Sequence, residues 1–174
     1  MESEGRPPDF QSRLQPIRTP ITPEMAKHDW AVLTLEDNMN LKPVPIQPVQ
    51  DADLPGSESE TEMVLPGYGA DRRELLAISR GCTAKTDLPG FGRGSLVHTC
   101  EIALGGSGSP VLLLQKQAAT MIGIATAARI GRPDMPVRGG VGVSATEFEQ
   151  TASSTAGRAA PTSPKLIRIL RGKD

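Results

Sequence analysis

The apolar residues of this chain come in short runs, and nearly every run is closed by glycine or proline. DWAVLTLE (Asp29–Glu36), MVLPGYGADR, LLAISRGCTAK, SLVHTCEI, PVLLL, TMIGIATAA and VGVSATEF follow one another, with turn material such as TDLPGFGRG and GRPDMPVRGG between them. Runs of this length, rich in β-branched residues and bounded by turn formers, read as strands rather than helices. With 18 Gly and 16 Pro in 174 residues, and only 3% aromatics, the pattern predicts an all-β barrel or sandwich. PVLLL and TMIGIATAA should form a hairpin across QKQAA. LKPVPIQPVQ, with three prolines, should be an extended connector or edge segment. DADLPGSESETE reads as an acidic, flexible loop. VGVSATEF reads as a last strand, or a strand running into a turn. The expected organisation is a flexible Pro-rich leader over 1–27, a folded domain over 28–150 and a mostly disordered tail over 151–174. KLIRIL in that tail reads as a frayed strand or helix without assigned function.

The formal net charge is −1, which gives no electrostatic case for nucleic acid or an anionic membrane. No apolar stretch approaches the length that spans a bilayer. The start, MESEGRPPDF, is acidic and proline-bearing, unlike a signal peptide; read literally, it implies a cytoplasmic protein. Cys82 and Cys100 fit no metal-site spacing, and neither of the two histidines is placed to complete a cluster, so no metal or cofactor is expected. The two cysteines are either an internal disulfide, closing a loop worth about 3 kcal/mol, or two free thiols. A disulfide would imply an oxidising compartment.

The stretch ALGGSGSPVLLL (Ala103–Leu114) carries the chemical question. A Gly/Ser linker is normally flanked by polar sequence, whereas this one lies between apolar runs. A Gly-rich turn feeding a buried strand can aim consecutive backbone N–H groups at one point, as an oxyanion hole requires. Ser107, centred among the glycines, would be the nucleophile. The plainer alternative is a tight β-turn without chemistry. The pattern is not the nucleophile elbow of α/β-hydrolases, because Ser109 replaces its second glycine and Pro110 opens a strand-like run.

Taken in order, DWAVLTL, GYGADR, LLAISRGC, LVHTCEIALGGSGSPVLLL and MIGIATAA resemble a bacterial trypsin-like serine protease of the chymotrypsin superfamily. The resemblance covers roughly Asp29 to Phe148, and the serine loop is its specific part. It implies two antiparallel β-barrels with the active site between them, the first barrel here being incomplete. It also implies a polypeptide substrate and a family member that is secreted or periplasmic and disulfide-bonded. By resemblance Ser107 is the nucleophile, the N–H groups of Gly105 and Ser107 form the oxyanion hole, and Asp29 orients the catalytic histidine. Glu101, Ala125 and Thr126 fall at the specificity pocket. Glu101 would favour a basic P1 residue, and Ala125 stands where glutamate-specific relatives carry a histidine. Gly106 replaces the acidic residue that many members pair with a freed N-terminus, so activation by that salt bridge is not expected.

One departure dominates. The family's histidine segment, similar to T-A-A-H-C, has no counterpart here. His28 is adjacent to Asp29, and neighbouring side chains on a strand point to opposite faces. His98 lies in the strand before the serine loop. The expectation is therefore a serine endopeptidase truncated at its N-terminus and nearly inactive as given. The alternative is a non-catalytic pseudoprotease acting as a protein-interaction module. The sequence leaves the oligomeric state open.

Overall fold

The computed structural model describes residues 27–35, 39–56, 59–70, 72–88, 91–128, 139–156 and 169–171. Most of the expected runs are strands: β1 (Ala31–Leu33), β2 (Thr61–Tyr68), β3 (Leu76–Cys82), β4 (Ala84–Thr86), β5 (Ser95–His98), β6 (Pro110–Gln115), β7 (Ala118–Ala128) and β8 (Gly140–Ser144). Seven of them form one curled antiparallel sheet in the order β3-β2-β6-β7-β8-β5-β4. The chain is all-β in class, with a single half-barrel sheet and little helix.

The expected β6–β7 hairpin is present. Its two-residue turn at Lys116 and Gln117 places Lys116 at a φ of 56°. β7 is the longest strand and serves three neighbours. It pairs with β6 along Ala118–Ile124, and with β8 from Gly123 onward. Before β8 begins, Pro45–Gln47 takes that edge through a parallel bridge, Met121 donating to Pro45 and Gln47 donating to Met121. The proline-rich connector is thus extended, as its fixed φ angles favour.

The sheet curls around a core of Val49, Met63, Leu65, Cys82, Leu96, Cys100, Val111, Ile122 and Ala125. Cys82 and Cys100 are joined in a disulfide, with Cα atoms 4.9 Å apart, so the free-thiol alternative falls away. The bond ties the end of β3 to the residue two beyond β5. It closes an 18-residue separation, worth about 3 kcal/mol by loop-closure entropy.

The C-terminal part departs from expectation. VGVSATEF does not end in a turn: β8 runs into helix α1 (Ala145–Ala156), which crosses the boundary expected at 150. Ala145 and Phe148 are buried on α1 and pack with Val143, Trp30, Ile46, Met121 and Ile124 in a second cluster. Burial of Phe148 against Trp30, with ring centroids 6.1 Å apart, anchors a helix whose Thr/Ser-rich sequence has weak intrinsic preference. Within the tail, Ile169–Arg171 forms a strand, β9, antiparallel to β1. The leader expected over 1–27 lies outside the described residues except for Lys27.

Candidate functional site

The serine loop is built from two successive turns. Gly106 N–H donates to Ala103 O at 2.9 Å, and Ser109 N–H donates to Gly106 O at 3.1 Å. Gly105 and Gly108 have φ of 88° and 87°, in the left-handed region that glycine reaches without steric cost. These two angles bend the chain so that Ser107 stands exposed at the tip.

Both flanks of the loop are tied down. On one side, β7 brackets it: Gly108 N–H donates to Ala125 O, and Ala125 N–H donates to Ser109 O, both at 2.8 Å. On the other, Ala70 N–H, two residues past the end of β2, donates to Leu104 O at 2.6 Å. Beneath the loop, Gly67 packs so closely on Ser109 that a Cβ there would overlap Ser109 Oγ. Gly106 is buried, and a Cβ on it would lie 2.8 Å from Ile102 Cγ1. Ile102 therefore fills the space that any larger residue at 106 would need.

The loop's hydrogen-bond inventory is uneven. The N–H groups of Gly106 and Ser109 are used within the loop and that of Gly108 by Ala125 O, whereas those of Gly105 and Ser107 have no partner among the described residues. An oxyanion hole needs donors aimed at one point, and these two N–H groups are left open for such a use. Ser107 Oγ itself donates to Thr126 O at 2.8 Å, so the loop brings Ser107 and Thr126 together. Thr126 Oγ1 in turn donates to Val141 O at 3.2 Å, joining β7 to β8 below the serine.

The other expected site residues are placed differently. Ala125 has a fully buried side chain in the core and contributes only its backbone to the loop. It is not available to a P1 side chain, because the irregularity in β7 between Met121 and Gly123 resets the alternation and puts Ala125 on the core side with Ile122. Glu101 is exposed, and its N–H donates to Ser79 Oγ at 3.0 Å. It lines a small hollow behind the loop together with Tyr68, Ala103, Gly106 and Ser109. Asp29 is exposed just before β1 and makes no hydrogen bond or ion pair among the described residues. His28 is half-buried, and its carbonyl accepts from Trp30 N–H.

His98 is not placed to serve the serine. It is 3% exposed, and neither ring nitrogen has a partner among the described residues. Burial pushes its pKa down to about 4, the Cys100 backbone offsetting only part of that.

Sequence reasoning missed Ala70, Gly67 and Ile102 as supports of the loop. The only signal for them was glycine or apolar character at positions whose neighbours depend on the fold. Comparison with protein-family models and with curated proteins gives no match for this chain.

Proposed function

We propose that this chain carries the nucleophile half of a serine endopeptidase site of the trypsin-like type. The observation that carries the reading is the pair of open N–H groups at Gly105 and Ser107 beside an exposed Ser107 hydroxyl. In this reading Ser107 Oγ attacks the scissile carbonyl and loses its proton to a general base. The two N–H groups receive the oxyanion. Collapse expels the amine, leaving an acyl-serine that water hydrolyses. The β-sheet described here corresponds to one barrel of a double-barrel protease, and Asp29 belongs to the other. Two supports favour a loop that is shaped without any acid–ammonium pair: Ile102 occupies the space beside Gly106, and Ala70 holds Leu104. Glu101 remains the proposed source of a preference for basic P1 residues, and the Cys82–Cys100 disulfide supports an exported protein.

The general base is the missing piece. His98 is sealed in the core, and the only other histidine, His28, is adjacent to Asp29. A histidine contributed by further polypeptide would complete the site. Without one, peptide hydrolysis should fall by about 10⁶ from that of a complete triad. A second reading, a non-catalytic interaction module, draws on one observation: the Ser107 hydroxyl is already engaged by Thr126 O.

Covalent labelling separates the two. Treatment with a fluorophosphonate in imidazole buffer, the imidazole standing in for the absent general base, followed by peptide mass mapping, should place the adduct on Ser107 and on no other serine. A Ser107→Ala variant should take up none. Labelling spread over exposed serines, or equal in the variant, would sink the protease reading and leave the interaction module.

A further inference from the structure

One buried titratable side chain is left idle by the proposed chemistry. His98 ends β5 and shares the inward face of that strand with Leu96, which is completely buried. Its neighbours in the sheet are Ala84 on β4 and Gly140 on β8. Both ring nitrogens are orphaned among the described residues, although imidazole always carries at least one donor and, when neutral, one acceptor.

Among the described residues no carboxylate faces His98, and the Cys100 backbone is the one group that favours its charged form. β5, β6, β7 and β8 carry no charged side chain. Lys85 on β4 stands on the face opposite Ala84 and is exposed. Glu62 on β2 stands opposite Met63, where it pairs with Arg80 of β3 at 2.7 Å on the outside of the sheet. Glu101 lies beyond Cys100, exposed in the segment leading to the loop. The backbones there pack closely: a Cβ on Gly139 would lie 2.5 Å from His98 O. β5 is held at His98 by Ala84 of β4 on one side and by Gly140 of β8 on the other, so hydrating a proton there requires the sheet to open at β5.

We propose that His98 is an acid switch: its protonation parts β5 from β8 and loosens the segment from Thr99 to Ser109 that carries the serine loop. Burial sets the window. The unfolded chain takes up this proton near 6.5, and the folded chain only near 4. Between those values the unfolded state binds more protons. The stabilisation is therefore complete above pH 6.5, is lost as pH falls toward 4, and changes no further below. The folding constant should drop on the order of 100-fold across that window.

The test uses the full chain and no substrate, so it stands apart from the protease reading. Amide hydrogen exchange and circular dichroism would be followed from pH 8 to 3.5 in the wild type and in His98→Leu. The wild type should show protection at β5, β8 and residues 99–109, corrected for the intrinsic exchange rate at each pH, falling steeply below pH 6.5. His98→Leu should lose about 100-fold less of its folding constant over the same range. Equal acid dependence in the two chains would overturn the proposal. NMR titration of the wild-type imidazole signals, assigned with His28→Gln, serves if His98→Leu does not fold. A His98 midpoint between 6 and 7 with the sheet intact would overturn the proposal, and a midpoint below 5 coinciding with the loss of β5–β8 protection would support it.

Discussion

The segment carrying Ser107 and the segment carrying Asp29 both reach the surface, but they are held in opposite ways. The serine loop is fastened by backbone bonds to Ala70 and Ala125, rests on Gly67, and follows a disulfide-bonded cysteine. Asp29 precedes a three-residue strand whose supports are the Trp30–Phe148 contact and pairing with β9. One segment is fixed by the sheet itself, and the other by a single aromatic anchor and a short strand pair. A nucleophile needs its geometry set before substrate arrives. A residue that only orients a partner can be positioned when that partner docks.

The contrast can be broken at several strengths. Replacing Cys82 and Cys100 together by alanine should cost the most, about 3 kcal/mol, and lower the thermal midpoint. Because Cys100 precedes the loop, fluorophosphonate labelling of Ser107 should weaken with it. Gly105→Ala comes next, at about 1–2 kcal/mol from its φ of 88° and its closeness to Ala70 N, and should abolish labelling of Ser107. Trp30→Ala should cost about 1 kcal/mol, well below a fully buried aromatic, since Trp30 is half-buried; hydrogen exchange should rise at β1 and leave the loop unchanged. If exchange at the loop rose equally, the two segments would not be independent. Ser107→Ala should change stability by no more than about 1 kcal/mol, because one exposed hydrogen bond is lost. Asp29→Asn should be smallest, within about 0.5 kcal/mol in chemical denaturation.

Legibility in the sequence followed the same division. The six runs that form the sheet were readable because glycine and proline punctuate the apolar sequence, although LLAISRGCTAK, read as one strand, divides at Thr83 into β3 and β4, which lie at opposite edges. The β6–β7 hairpin was readable because two runs flank a short polar turn. The glycines around Ser107 announced a turn with positive φ, but not that Gly105 and Gly108 would carry it while Gly106 keeps an ordinary φ. Helix α1 was hidden because most of its residues are Ala, Ser and Thr, and its main buried side chain, Phe148, supplies no period by itself. DWAVLTLE promised a longer strand than Ala31–Leu33, since β9, its partner, covers only three residues of it. The burial of Ala125 and the isolation of His98 depend on what the curled sheet brings opposite them. Contacts of that kind join residues far apart in the chain, and local pattern does not encode them.

The contact between Gly67 and Ser109 links two positions separated by the whole β3–β5 portion of the chain. Any side chain at 67 would displace the hydroxyl at 109, and with it the carbonyl that accepts from Ala125. The two sites should therefore behave as one inherited unit. A substitution at 67 that is damaging alone becomes tolerable once 109 has shrunk to glycine, so the order in which such changes arise is constrained. In a library randomised at both positions, surviving chains should pair small with large and seldom large with large.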